Sequence, residues 1–181
     1  MKKKNLLITG YPGSGKTTLV KTLADQLRDL HPQGFYTQEI RDNGTRVGFE
    51  IIGLNGQRGI LAHINHRGPY RVGKYGVDIE GFEKYLSAMR SESTSTLIII
   101  DEIGKMECYS EMFRTIITSC FESSTTLLAT VTLRGDSFIE ALKKRKDVEL
   151  FYLSRENREE LVSVIVHRVH ELVWGSTPSS V

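Results

Sequence analysis

The chain has 181 residues, of which 39% are hydrophobic and 25% charged, and its formal net charge at pH 7 is +2. This length suits one domain whose core needs no disulfides, and the small, mixed charge gives no indication of a nucleic-acid partner. The apolar run near the start is too short for a signal sequence or a membrane span, so no membrane partner is expected. We therefore expect a single domain over residues 1–173 and a disordered polar tail over 174–181.

A phosphate-binding loop is the first feature along the chain. Residues 5–9 are typical of a buried strand, and residues 16–30 carry apolar side chains at helical spacing. The spacing of such a loop stands between them, in Gly10-Tyr11-Pro12-Gly13-Ser14-Gly15-Lys16-Thr17, followed by Thr18. Lys16 is predicted to reach the β- and γ-phosphates, and Thr17 to bind Mg²⁺ through its hydroxyl. The complete strand, loop and helix disfavour the alternative of a glycine-rich turn with a surface lysine.

The pattern of apolar and polar residues changes in the next third of the chain. Residues 34–64 alternate around turn signals at Gly44 and Gly56, which predicts an antiparallel insertion that packs beside a parallel sheet and buries Phe35 or Tyr36. Residues 66–78 are rich in glycine, tyrosine and cations and lack periodicity, so we expect a loop there.

Strands and helices alternate in the remaining sequence, which predicts an α/β fold with a mostly parallel sheet. Helical spacing begins after Asp78, a candidate N-cap. The later predicted elements are a strand at 96–102, a helix at 110–121, a strand at 125–131, a helix at 136–144, a strand at 148–153, and a last helix from Ser154 as N-cap to Val173.

Two carboxylates end the predicted strand at 96–102. Asp101 fits the residue that positions the metal in a phosphate-loop enzyme, and we expect its strand to lie next to the first strand. Its alternative is a polar residue at a strand end. Glu102 follows directly and is predicted to take a proton from a water in line with the γ-phosphorus, which favours hydrolysis over transfer to a second substrate.

Several further charged or polar residues are candidates for the site. Arg71 and Lys74 either cover the γ-phosphate or solvate a surface loop. Glu107 is expected to pair with Lys105 or to favour the start of a helix through its charge, rather than to act as an alternative base. Any of three arginines is a candidate to stack on the base, although solvation is the simpler interpretation: Arg134, Arg145 and Arg155. The histidines show no metal-ligand spacing, so no zinc site is assigned.

The chain resembles the small nucleoside-triphosphatases of the thermophilic-enzyme type, a family that includes the human cancer-related nucleoside-triphosphatase. The resemblance extends to about Glu171 and rests on the loop to Thr18 and on Gly34-Phe35-Tyr36-Thr37, Arg46-Val47-Gly48-Phe49, Arg71-Val72-Gly73-Lys74-Tyr75 and Ile100-Asp101-Glu102-Ile103-Gly104-Lys105-Met106-Glu107. It implies a RecA-like P-loop fold with helices on both faces of the sheet, and slow Mg²⁺-dependent hydrolysis of ATP, GTP and other nucleoside triphosphates. It also implies nucleotide contacts over Gly10 to Thr17 and Leu97 to Gly104.

Two other function classes stay open at this stage. A kinase acting on a nucleotide or another small acceptor shares the phosphate loop, and a regulatory module would signal its nucleotide state to a partner. The Asn-Lys-x-Asp pattern that reads guanine is absent, so the base preference is not predicted. The cysteines, Cys108 and Cys120, are expected as reduced thiols in the cytoplasm.

Overall fold

The computed structural model describes residues 3–91 and 95–175, with only the backbone for residues 90 and 91. The strands are β1 (Asn5–Thr9), β2 (Gln33–Asp42), β3 (Thr45–Gly53), β4 (Arg58–His63), β5 (Arg71–Val72), β6 (Tyr75–Val77), β7 (Leu97–Ile103), β8 (Thr126–Val131) and β9 (Val148–Tyr152). The helices are α1 (Lys16–Gln26), α2 (Ile79–Ser91), α3 (Glu111–Glu122), α4 (Ser137–Lys143) and α5 (Arg158–Trp174), with 3₁₀ turns at Arg28–Leu30 and Glu107–Tyr109.

Across the described residues, the strands form one mixed sheet in the order β5-β6-β4-β3-β2-β7-β8-β1-β9. The run from β2 to β9 is parallel, so β1, β7 and β8 all end at the same edge of the sheet. The expectation that the Asp101 strand lies directly beside β1 is wrong, because β8 lies between β7 and β1. The sequence does not reveal this order, since a buried parallel strand has the same apolar composition wherever its crossover helix places it.

Helices cover both faces of the sheet, as expected. Side chains of α1 and α5 pack on one face with Leu6 and Ile8, whereas side chains of α2, α3 and α4 share the other core with Leu7. This division follows from the alternation of side chains along β1, which sends successive residues to opposite faces. Because β1 is buried on both faces, the polar groups of a site near this strand come from the loop that follows its carboxyl end.

The predicted insertion is part of the same sheet. β2 pairs in parallel with β7 through residues 33–36 and antiparallel with β3 along its length, and β3 pairs with β4. The Phe35 side chain is 0% exposed, with ring centroids 5.9–6.3 Å from those of Tyr85, Phe82 and Phe113. Tyr36 is partly buried. β2 therefore fixes the antiparallel strands to the core of the parallel half.

The expectation of a loop over residues 66–78 is wrong in part. Strands β5 and β6 form an antiparallel hairpin at the sheet edge, and the turn between them has Gly73 at a φ of +56°. Strands of two and three residues are too short to show an alternation of apolar and polar residues. The local signal for this hairpin is the glycine in its turn, which adopts a positive φ without strain.

The start of the last helix also differs from the expectation. Asn157, not Ser154, occupies the N-cap position of α5. The Ser154 N–H donates to Asn157 Oδ1 at 2.9 Å, and Ser154 Oγ accepts from the Glu156 N–H at 3.3 Å, so the serine belongs to a separate turn. Serine favours such local turns as readily as caps. The consequence is that Arg158 becomes the first residue of α5.

Other sequence expectations for this region have mixed outcomes. Asp78 Oδ1 accepts from the Gly81 N–H at 2.9 Å, which agrees with its predicted capping role. Residues 176–181 of the predicted tail lie outside the described residues. Within residues 3–91 and 95–175, no helix combines the length and apolarity needed to cross a bilayer.

The packing of Phe35 gives a first prediction. Phe35→Ala should lower the free energy of unfolding by about 3–5 kcal/mol, because it removes a fully buried ring at the junction of the two halves of the sheet. Urea unfolding followed by circular dichroism measures the loss. Ile60→Ala is the control, since Ile60 is 44% exposed on β4 and its truncation should cost about 0.5 kcal/mol or less. Equal midpoints for the two variants would contradict the role given to Phe35.

Candidate active site

The loop between β1 and α1 has the geometry of an anion-binding loop. Gly13 and Gly15 have φ values of +77° and +94°, which only glycine adopts without strain. Gly15 is the N-cap of α1 and offers no capping side chain, so the first N–H groups of the helix face the loop. Ser14 Oγ is buried and has no hydrogen-bond partner among the described residues. The loop thus presents unsatisfied donors to a bound anion.

Lys16 and Thr17 leave this loop toward the end of β7. Lys16 Nζ donates to the Gly10 carbonyl at 3.2 Å and lies 3.9 Å from Glu102 Oε2. Thr17 Oγ1 donates to Asp101 Oδ2 at 2.6 Å. The two predicted parts of the site, the loop and the paired carboxylates, therefore meet directly.

Asp101 is the most constrained polar group of this cleft. It is 1% exposed, and its Oδ1 accepts a second hydrogen bond from Thr130 Oγ1 of β8 at 2.6 Å. Burial raises the pKa of Asp101, although the hydrogen bonds from Thr130 and Thr17, the charge of Lys16 and the backbone N–H of Thr37 oppose the rise. Sequence reasoning missed Thr130, whose signal is a hydroxyl at the end of the strand that separates β1 from β7.

Glu102 and Glu107 approach each other around Gly104. A β-carbon added to Gly104 would lie 2.9 Å from Glu102 Oε1 and 2.9 Å from Glu107 Oε2, so a larger residue at this position would displace one or both carboxyl groups. Burial raises the pKa of Glu102, and the charge of Lys16 opposes that rise. Glu107 is 4% exposed, and burial together with the charge of Glu102 raises its pKa to about 8.

Of the two roles expected for Glu107, the ion pair with Lys105 is wrong, whereas Glu107 does stand at the start of a 3₁₀ turn. In the described ranges Lys105 has no ion pair, and its side chain is exposed. The 3₁₀ turn at Glu107–Tyr109 buries Glu107, which puts the two side chains in different environments. Lys105 and Glu107 are only two residues apart in sequence, which suggested that their side chains meet. The 3₁₀ turn instead directs the two side chains to different places.

These groups line a cleft of about 660 Å³ at the carboxyl edge of the sheet. This volume is ample for a nucleotide. The residues that line it include most of those predicted, namely Gly10, Pro12, Gly13, Gly15, Lys16, Thr17, Thr18, Asp101 and Glu102, together with Glu107, Lys105, Thr132 and Arg134. Tyr11, Ser14 and Gly104 lie in the same segments without lining the cleft, and Tyr11 is 75% exposed.

The predicted cations Arg71 and Lys74 are not among the lining residues, although Val72 between them is. Arg71 Nη2 donates to the Lys74 carbonyl at 2.7 Å, and Lys74 Nζ lies 5.5 Å from the centroid of the Tyr75 ring. Both side chains thus contact their own hairpin.

The three arginines considered for the base have different positions. Arg134 lines the cleft, and Arg155 is exposed in the turn before α5. Arg145 pairs with Asp147 at 2.9 Å and covers the Phe121 ring. It precedes β9 at the amino-terminal edge of the sheet, away from the cleft, so Arg145 is not a candidate to stack on the base.

Arg158 is a neighbour of the loop that sequence reasoning missed. A β-carbon added to Gly15 would lie 2.8 Å from Arg158 Nη2, and Arg158 Nε is buried without a hydrogen-bond partner among the described residues. On the same side, a β-carbon on Gly10 would lie 2.6 Å from the Leu153 carbonyl. The segment from β9 to α5 therefore forms an outer wall of the loop, with a cation at its centre.

Comparisons with known proteins find relatives over most of this chain. A family model described as "NTPase" matches residues 5–166. The nucleoside-triphosphatase THEP1 of Thermotoga sp. strain RQ2 is 45% identical over 163 residues, which cover 89% of this chain and 92% of the relative. The human cancer-related nucleoside-triphosphatase is 35% identical over 180 residues, which cover 90% and 95% of the two chains.

Solved structures show the same likeness in three dimensions. The crystal structure of THEP1 from Aquifex aeolicus superposes with a TM-score of 0.79 at 32% identity, covering 91% of this chain and 98% of that one. The solution structure of the human cancer-related nucleoside triphosphatase superposes with a TM-score of 0.81 at 32% identity, covering 97% and 100%.

Glu107 gives a prediction about stability and pH. The folded chain holds the Glu107 proton up to a pH of about 8, whereas the unfolded chain releases it near its usual pKa of 4.5, so unfolding releases a proton between these values. Rising pH therefore destabilises the wild type in this window. The free energy of unfolding of Glu107→Gln, minus that of the wild type, should increase by up to about 1.4 kcal/mol for each pH unit.

Urea unfolding at several pH values between 5 and 9 measures this difference. The matched control is Glu160→Gln on the exposed face of α5, whose curve should stay parallel to that of the wild type. A constant difference between Glu107→Gln and the wild type across the window would contradict the proposed protonation of Glu107.

Proposed function

This chain belongs to the nucleoside-triphosphatase family of THEP1 and the human cancer-related nucleoside-triphosphatase, and we propose that it hydrolyses ATP, GTP and other nucleoside 5′-triphosphates with Mg²⁺. It is a P-loop nucleoside-triphosphatase, with the mixed α/β sheet that the similar structures share. The observation that supports the finer proposal is the contact of Thr17 with Asp101 beside the close approach of Lys16 to Glu102.

The phosphate groups are proposed to bind at the loop. The glycine backbone and the N-terminus of α1 supply N–H donors, and Lys16 supplies the cation for the β- and γ-phosphates. Arg158 adds a second positive charge behind Gly15, where its guanidinium strengthens the positive potential of the loop. Ser14 Oγ, which is buried and unpartnered among the described residues, gains an acceptor when an anion is bound.

Mg²⁺ is proposed to bind at Thr17 and Asp101. The hydroxyl and the carboxylate are hard oxygen donors, and their oxygens are 2.6 Å apart, so a single cation can contact both residues. Thr130 holds the second carboxylate oxygen, which fixes the orientation of the first. When bound, Mg²⁺ neutralises charge on the phosphate oxygens.

Glu102 is proposed to activate the water. The water oxygen forms a bond to the γ-phosphorus while the bond to the oxygen bridging the β- and γ-phosphates breaks, and that electron pair stays with the diphosphate. One proton of the water passes to the Glu102 carboxylate. A raised pKa makes Glu102 a stronger base, whereas Glu107 carries its proton at neutral pH and is not available for this step.

Phosphate release without an added acceptor tests this function against a kinase. Orthophosphate should appear from each common triphosphate in the presence of Mg²⁺, and chelation of the metal should stop the reaction. Turnover that requires a second substrate would overturn the proposal in favour of a kinase. The proposed cytoplasmic location is supported by Cys108 and Cys120, which are both buried thiols.

Asp101→Asn should raise the Mg²⁺ concentration required for half-maximal hydrolysis, because a neutral amide holds a divalent cation less strongly than a carboxylate does. Metal titration of the initial rate at a fixed, saturating triphosphate concentration measures the change. Asp42→Asn is a control, since Asp42 is exposed at the end of β2 and does not line the nucleotide cleft. A titration curve identical to that of the wild type would count against Asp101 as the metal ligand.

Glu102→Gln should separate binding from chemistry. The amide keeps the size of the side chain but lacks the basic oxygen, so hydrolysis should fall by about 10²–10⁴-fold while nucleotide still binds. Single-turnover rates and equilibrium binding of a triphosphate measure the two effects. Glu107→Gln should have the smaller effect on turnover, and the reverse order of the two variants would assign the base to Glu107.

A further inference from the structure

A second cavity adjoins the nucleotide cleft. It has a volume of about 320 Å³ and shares three lining residues with that cleft, Lys105, Thr132 and Arg134. These three residues therefore form a wall between the two spaces. Its other lining residues come mainly from the 3₁₀ turn at Glu107–Tyr109, from α3 and from the start of α4.

The charges of this cavity favour an anion. Arg114 is neutralised by Asp136 at 2.7 Å and also donates to the Cys108 carbonyl at 2.6 Å. The side chains of Lys105 and Arg134 have neither an ion pair nor a hydrogen bond in the part of the chain that the structure describes. Two uncompensated positive charges thus remain at the wall, and a small anion with several acceptor oxygens matches them.

The position of the cavity identifies the end of the nucleotide that it serves. The outer side of the loop contacts Leu153 and Arg158 through Gly10 and Gly15. The wall lies on the other side of the loop. Lys105 follows β7 and Arg134 follows β8, and these strands lie on one side of β1, whereas β9 lies on the other. This is the side of Asp101 and Glu102, where the γ-phosphate is proposed to be cleaved. The cavity is therefore next to the cleaved group rather than next to the base.

We propose that this cavity binds the orthophosphate released by hydrolysis, with Lys105 and Arg134 as its anion contacts. The inference rests on the proposed function, since hydrolysis supplies the orthophosphate. After cleavage the diphosphate still occupies the loop, and its negative charge repels the orthophosphate away from Lys16. Among the described basic residues that line the cleft, Lys105 and Arg134 have no ion pair, whereas Lys16 lies 3.9 Å from Glu102 Oε2. The cavity thereby holds the product while the diphosphate remains bound.

Calorimetric titration of inorganic phosphate into the full chain, preloaded with saturating ADP and Mg²⁺, tests the site. Because ADP occupies the loop, phosphate should bind at one equivalent per chain. Lys105→Ala and Arg134→Ala should each weaken this binding by about tenfold, since each removes a charge-assisted contact. Lys146→Ala is the matched control, because Lys146 is exposed before β9 at the opposite edge of the sheet, and it should leave phosphate binding unchanged.

Steady-state hydrolysis gives a second measurement. Phosphate should inhibit the wild type without competing with the triphosphate. In both wall variants the inhibition constant of phosphate should rise by a larger factor than the dissociation constant of ADP. Purely competitive inhibition that neither variant alters would overturn the proposal, because phosphate would then bind only at the loop. Phosphate binding to the ADP complex in a chain that does not hydrolyse triphosphates would support the site and refute the proposed function.

Discussion

The buried carboxylate of Asp101 connects the elements from which the site is built. Thr17 reaches it from α1, Thr130 from β8 and the Thr37 N–H from β2, so one side chain on β7 contacts three other parts of the chain. A carboxylate with 1% exposure is costly unless its oxygens are hydrogen-bonded. The two hydroxyl contacts at 2.6 Å meet that requirement and also fix the distance between the phosphate loop and the end of β7.

The parallel and the antiparallel strands of the sheet have different roles at the cleft. The parallel strands bring β1, β7 and β8 to one edge, where the loop, the carboxylates and Thr130 converge. The antiparallel strands beyond β2 contribute Phe49, Leu61 and Val72 to the lining of the same cleft, so they enclose it without supplying the proposed chemistry. β2 belongs to both halves, and the packing of Phe35 on Phe82 and Phe113 keeps their relative position fixed.

The sequence was sufficient where a local pattern determines the outcome. The strand, loop and helix around Gly10 to Thr17 follow from glycine spacing and apolar periodicity, and the apolar run before Asp101 identified β7. It was insufficient where side chains meet through the order of strands, as with Thr130, whose strand inserts between β7 and β1. Arg158 was missed because its contact with Gly15 depends on where the turn after β9 ends. The burial of Glu107 depends on a single 3₁₀ turn that has no periodic signature.

The contacts of the loop with the last part of the chain change what counts as the nucleotide-binding unit. Both motifs that identify the enzyme class lie before residue 108, yet the loop also touches Leu153 and Arg158. A fragment that ended after the second motif would keep every signature residue and lose the outer wall of the loop. It would also lack β8 and β9, the two strands that flank β1. The smallest portion of this chain able to hold a nucleotide in the observed geometry therefore extends into α5, some fifty residues past the last residue of either motif.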